Sequence, residues 1–284
     1  MITAISGRPS TLRLVEAADV VLVLSAWKRY RYLLVELARR EIADRYAHQT
    51  IGSLWAWLHP LFLMLLYTVI FNFVFEARFD GAIDLPLDFT TFVLAGLVPW
   101  LCLQDVLGRS CGAVLDHASY VRQMAFPIEV LPIKRALSSL PILLTGMTFL
   151  LAYQLVTFGH LPWTILLWPL FLGLLVLFAT GIVFLLGAIG VFLRDLREVV
   201  SVFCTANLFL MPIMFIPSLT PPLLEVIYYA NPFSYMVWMH QDIVFYGRIE
   251  HPFAWVVFPL LSFVLILGGS ALFRRLRPQF GDAV

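Results

Sequence analysis

Read by polarity alone, the chain changes solvent near residue 54. Residues 36–46, ELARREIADRY, are crowded with charge, whereas 54–75 contain no charged residue. Apolar runs able to cross a bilayer lie at 54–75, 89–107, 137–158, within 161–192, at 199–216 and at 253–273. At 1.5 Å per residue the first reaches roughly 33 Å, enough for a hydrocarbon layer about 30 Å thick. Ahead of it, Trp27, Tyr30, Leu34, Leu37 and Ala38 fall on one helical face, with Lys28, Arg29, Glu36, Arg39 and Arg40 opposite. This pattern predicts a helix in the interface plane with its apolar side toward the headgroups. The stripe fails at Glu41, Asp44 and Arg45, which rotate onto the apolar side. Either that end faces protein or the helix is a plain anchor. Gly52 permits a bend, Trp55 and Trp57 anchor at headgroup level, and Pro60 is tolerated in the first turns.

Residues 223–246, LLEVIYYANPFSYMVWMHQDIVFY, are aromatic and half apolar. The residue before a proline avoids helical backbone, so Asn231-Pro232 divides them into two short helices. With the N-terminus cytoplasmic and the runs alternating, only Arg78 and Arg248 of the 19 lysines and arginines fall outside. That asymmetry follows the positive-inside rule. A seventh crossing at 223–246 would expel Arg274, Arg275 and Arg277, so the segment reads as a re-entrant helix pair on the periplasmic side. Its broken backbone needs protein or a water-filled cavity beside it. The expected fold is therefore an all-α integral membrane protein with six transmembrane helices and both termini cytoplasmic. An amphipathic interface helix precedes the spans, and the re-entrant pair lies between the fifth and sixth. Residues 1–50 form the cytoplasmic N-terminal region, 51–277 one six-span domain and 278–284 a cytoplasmic tail.

Composition agrees. Apolar residues make up 61% of the chain, charged residues 13%, and mean hydropathy is +0.89; soluble domains are about half apolar and a quarter charged. The N-terminal residues lack the apolar run of a secretory signal. Cys102, Cys111 and Cys204 form no CxxC pair and read as buried free thiols. A net charge of +1 gives no sign of nucleic acid.

No chemistry stands out. A phosphate-binding P-loop needs GxxxxGK[ST], and the two lysines, Lys28 and Lys134, follow Trp27 and Ile133. Asp105 and Arg109 sit one helical turn apart and read as a local ion pair near the cytoplasmic edge. The histidines are scattered, without HExxH, and no catalytic or metal-ligating residues are assigned. Asp80, Asp84 and Asp88 share an outer loop that reads as solvated rather than metal-binding. The chain looks like a conduit driven from outside itself. Its candidate drive point is the cytoplasmic loop DHASYVRQMAFPIEVLPIKR, where a brief helix would present Tyr120, Val121, Met124 and Phe126 to a groove. An ordinary loop with aromatics on the headgroups is the alternative.

Four stretches, RYAHQTIGSLWAWLHPLFLMLLYTVIF, YVRQMAFPIEVLP, GVFLRDLREVV and YYANPFSYMVWMHQDIVFYG, occur in this order. Over about residues 35–277 they resemble the membrane subunit of polysaccharide-export ABC transporters. The likeness is to the type-2 ABC permeases of the O-antigen and teichoic-acid branch, with the capsule exporters similar. It implies a homodimer with two copies of a separate ATP-binding subunit that holds ATP and Mg, in the bacterial inner membrane. By the same likeness, residues 28–46 form the interface helix beside the ATPase, with Arg39, Arg40, Asp44, Arg45 and Tyr46 at its end. Residues 119–126 form the coupling helix, and the coupling set is Tyr120, Val121, Arg122, Met124, Phe126 and Glu129. The implied substrate is a lipid-linked polysaccharide. Sugar faces stack on aromatic rings, so Trp57, Tyr67, Phe71, Trp100, Tyr228, Tyr229, Tyr235 and Trp238 are channel candidates. The carrier pyrophosphate implied by the likeness would need cations at the inner surface, where Arg39, Arg40 and Arg45 are placed. Pairing with acidic headgroups or with the ATPase is the equal alternative for them. A drug permease of the same superfamily is one competing reading. A glycan-modifying membrane enzyme is the other, though the clustered carboxylates or histidines it needs are not found.

Overall fold

The computed structural model describes residues 30–75, 86–117, 127–214 and 222–283, and all regular structure among them is helical. Residues 30–45 form α1. A tight turn, Gly52–Leu54, enters α2, Trp55–Ile70, which relaxes into a π turn over Phe71–Phe75. There follow α3, Phe89–Ser110, α4, Val130–Leu137, α5, Leu140–Phe158, and α6, Trp168–Gly190. The chain continues through α7, Leu196–Asn207, α8, Pro222–Ala230, α9, Ser234–Gln241, and α10, Pro252–Ala283. Gly52 has φ 59°, a left-handed conformation that makes the expected bend between α1 and α2.

Five helical stretches among the described residues are long and apolar enough to cross a membrane: Gly52–Phe73, Phe89–Ser110, Val130–Phe158, Trp163–Gly190 and Pro252–Gly281. The run expected at 199–216 differs. Its helix stops at Asn207 and the backbone turns through 208–214. The reason lies elsewhere in the chain. Asn231 Nδ2 donates to the Leu210 carbonyl at 2.9 Å and to Asn207 Oδ1 at 2.7 Å, and Gln241 Nε2 donates to the Pro212 carbonyl at 3.0 Å. Side chains at the start and end of the α9 region thus satisfy carbonyls that an unwound segment leaves open. The break at Asn231-Pro232 stands as expected, between α8 and α9.

The core is built around α3. Every residue from Phe89 to Trp100 is buried. Asp88 caps it, accepting from the Thr91 amide at 3.1 Å and from the Tyr153 hydroxyl at 2.6 Å, so this aspartate is a structural cap. Pro99 has no N–H to give the Ala95 carbonyl one turn back. His240 supplies the missing donor: its Nδ1 lies 2.6 Å from that carbonyl. The π turn Asp242–Tyr246, which continues α9, is held in the same manner, with Thr164 Oγ1 on the Ile243 carbonyl and Gln154 Nε2 on the Val244 carbonyl, both at 2.6 Å. A second close packing joins α6 and α10. A β-carbon on Gly181 would lie 2.6 Å from the Ile266 nitrogen, so the two backbones meet with nothing between them. Leu65, Leu66 and Val69 on α2, with Val256, Leu260 and Val264 on α10, point outward and apolar.

The interface helix corrects one expectation. Leu34 of α1 is buried in a cluster with Val114, Ile128, Val130, Leu131, Phe273 and Phe280. Tyr30 and Leu37 pack against that cluster, and Ala38 is buried as well, so this face rests on protein rather than on headgroups. Trp27, Lys28 and Arg29 lie outside the described residues.

Candidate functional site

Where the apolar stripe of α1 fails, helical geometry turns Glu41 inward between α3 and α4. Its Oε1 lies 3.0 Å from Arg109 Nη1 and 3.2 Å from Arg135 Nη1, and its Oε2 lies 3.3 Å from Lys134 Nζ. Ser138 Oγ adds a donor at 3.3 Å. Lys134 and Arg135 are only 4% and 6% exposed, and cations buried that far need an anion beside them. Arg109 also forks onto Asp105, the pairing expected from their spacing, and donates to Ser139 Oγ at 2.7 Å. Arg45 reaches Asp105 Oδ1 at 3.5 Å. Asp116 accepts from Arg135 Nη2 at 2.8 Å and lies 3.9 Å from Arg197 on α7. Lys134 Nζ sits 2.6 Å from His117 Nε2; an ammonium only donates, so this ring nitrogen accepts. Glu129 Oε1 lies 2.5 Å from Arg277 Nη1 on α10.

Arg45, Arg109, Lys134, Arg135 and Arg197 thus face Glu41, Asp105 and Asp116, a surplus of two positive charges. Burial acts to raise the Glu41 carboxyl, but Arg135, Lys134 and Arg109 together outweigh it and hold its pKa below the usual carboxylate range. Burial, then Lys134 and Arg135, press His117 below the usual imidazole range. The ties span α1, α3, α4, α7 and the short turn Leu115–His117, and they lie on both sides of residues 118–126 in the chain.

Two clefts lie along α1, the first bordering this cluster. One, about 690 Å³, is lined by Arg45, Tyr46, Trp55, His59, Asp105 and Arg109 among others. The other, about 610 Å³, includes Arg39, Arg40 and Trp57. The end of the bundle where α10 begins is aromatic instead. Asp242, fully buried, accepts from the His251 amide at 3.0 Å, from His251 Nδ1 at 2.8 Å and from Trp255 Nε1 at 2.9 Å. The His251 ring stacks on Trp238 at 5.4 Å, and Tyr229 and Tyr235 meet the same indole at 5.0 and 5.4 Å.

The sequence-selected residues are distributed accordingly. Tyr120, Val121, Arg122, Met124 and Phe126 lie outside the described residues, as do Asp80 and Asp84; Glu129 is paired to Arg277. Arg39, Arg40 and Asp44 are exposed on α1, with Arg45 and Tyr46 at the first cleft. Tyr229, Tyr235 and Trp238 come together. Tyr228 is buried on α8, Trp57 is exposed beside Arg39, and Tyr67 stacks on Phe71 at 6.2 Å. Trp100 is fully buried, edge-on to Phe233 at 6.0 Å. The three cysteines are buried free thiols. Among the described residues no group of three or more His, Cys, Asp or Glu is arranged to hold a metal. Sequence reasoning turned Glu41 toward protein but did not find its partners. The basic pair Lys134-Arg135, two residues after Pro132, was the available signal.

A family model described as ABC-2 type transporter matches residues 32–245. The chain is 26% identical over 259 residues to the O-antigen export system permease protein RfbA of Myxococcus xanthus, covering 90% of this chain and 96% of that one. It is also 22% identical over 243 residues to a polysialic acid transport protein KpsM of Escherichia coli, covering 83% of this chain and 90% of that one.

Proposed function

The chain belongs to the ABC-2 type transporter family, and from that premise we propose that it is the channel-forming subunit of an ATP-driven exporter of cell-surface polysaccharide. It acts as a homodimer in the bacterial inner membrane with two copies of a separate ATP-binding subunit, which carries ATP and Mg. The substrate is a lipid-linked glycan, an O-antigen or similar polymer. Capsule or teichoic-acid export is the runner-up, and export of small hydrophobic molecules is disfavoured by the polysaccharide-transport names of its relatives.

In this reading residues 51–277 form one six-span domain. The fifth crossing runs through α7 and the unwound 208–214, α8 and α9 re-enter from the periplasmic face, and the basic tail is cytoplasmic. The ATPase docks on α1 and on residues 118–126. The main support is the charged cluster around Glu41. It binds α1 to α3 and α4 at one end of the bundle, through buried pairs that resist being pulled apart, while the Tyr229, Tyr235 and Trp238 patch lies at the other end. A push on the polar end can therefore pass through the bundle without first loosening α1. Arg39, Arg40 and Arg45, each at a cleft, are suited to a diphosphate head, and the ring patch to apolar sugar faces.

The purified chain alone hydrolyses no ATP, and hydrolysis appears when the ATP-binding subunit is added. In the source cells, deleting the chain removes glycan-stained surface polymer. Hydrolysis by the lone chain, or unchanged surface polymer, defeats the proposal.

A further inference from the structure

We propose that Glu41 is a positioning residue for coupling: its carboxylate makes α1, α3 and α4 move as one body. The inference rests on the reading of the chain as an ATP-driven permease. α1 is seated at two levels. Leu34, with Tyr30 and Leu37 beside it, holds it by apolar packing, and Glu41, further along, holds it by charge. Without the carboxylate, Arg109, Lys134 and Arg135 repel one another, and α1 keeps its apolar seat and the longer Arg45–Asp105 contact at 3.5 Å, about which it can pivot. The same carboxylate reaches the α4–α5 joint. Ser138 Oγ donates to Glu41 at 3.3 Å, and its neighbour Ser139 donates to Asp105 Oδ2 at 2.7 Å. Glu41 therefore touches the interface helix, the end of α3 and the root of the α4–α5 crossing at once. Asp44, the next acid on α1, is exposed and takes no part in these pairs.

The test is Glu41→Gln in the full complex with its ATP-binding subunit, since glutamine keeps the shape and an acceptor while removing the charge. The expected result is ATP hydrolysis per complex within about twofold of wild type, with surface polysaccharide per ATP hydrolysed about tenfold lower, the upper range of a coupling energy. Lys134→Met added to Glu41→Gln removes one unpaired cation and restores part of the loss. A merely structural role lowers both activities together and is not rescued; that outcome, or no change in either, overturns the proposal. Hydrogen exchange on the permease alone is a readout independent of transport. Glu41→Gln should speed exchange in 38–45 and 130–137 together and leave 234–246 unchanged; unaltered exchange in the first two stretches also overturns it. If the wild-type complex exports no polysaccharide, the functional reading fails, and the exchange result still decides the role of Glu41. Should Glu41→Gln not assemble, Lys134→Met alone is expected to lower polymer per ATP about threefold, and unchanged coupling in it counts against the proposal.

Discussion

A carboxylate ringed by three cations and an imidazole pressed against a lysine respond to acid in the same direction. Glu41 has its pKa lowered in the folded chain, so its stabilising pairs are complete above the ordinary carboxylate range and are lost as pH falls through the depressed folded value. His117 is also lowered, facing Lys134, Arg135, Glu41 and Asp116. The unfolded chain therefore binds its proton first, and folded stability declines as pH drops below about 6.5. Melting curves of the detergent-solubilised chain should show a midpoint that falls between pH 7 and 5 (about the imidazole range). His117→Asn should flatten that part and leave a steeper fall near the carboxylate range. An unchanged slope in the variant would refute the assignment. At this scale the sequence was half legible. The charge on Glu41 broke an apolar stripe and so announced a protein contact, but its partners stand 68 to 97 positions away, beyond any local pattern.

Helices were legible where their causes are local. The proline at 232 forbids a continuous helix at Asn231, and the chain breaks there. The unwinding after Asn207 was not legible, because it depends on Asn231 and Gln241 donating from another element to the Leu210 and Pro212 carbonyls. The same kind of repair joins α9 to α3. Pro99 leaves the Ala95 carbonyl without an internal donor, and His240 provides one. His240→Leu should leave that buried acceptor unmade and lower stability by about 1–3 kcal/mol. His240→Gln, which keeps a donor, should recover part of it. Unfolding midpoints of the two variants check this, and equal losses would show that packing, not the hydrogen bond, is what the histidine provides.

Across the whole molecule, charge sorting and hydropathy were enough to read an integral membrane bundle, and the matching family agrees. The arrangement of its two ends, polar beside α1 and aromatic where α10 begins, needed coordinates. If the polar end is cytoplasmic, Arg275→Cys, at an exposed position on α10, should react with a membrane-impermeant thiol reagent in inside-out vesicles and not in intact spheroplasts. Buried Cys102, Cys111 and Cys204 should add little background. Labelling from the periplasmic face would overturn the orientation.

Gly181 and Gly269 seat α6 and α10 with main chain against main chain. Displacement of one past the other by a single residue rise, about 1.5 Å, would drive neighbouring side chains into that seam. The pair is thus a fixed post. It can lean as a unit but has no gear for sliding, so any passage wide enough for a sugar polymer must open by swinging the remaining helices away from it.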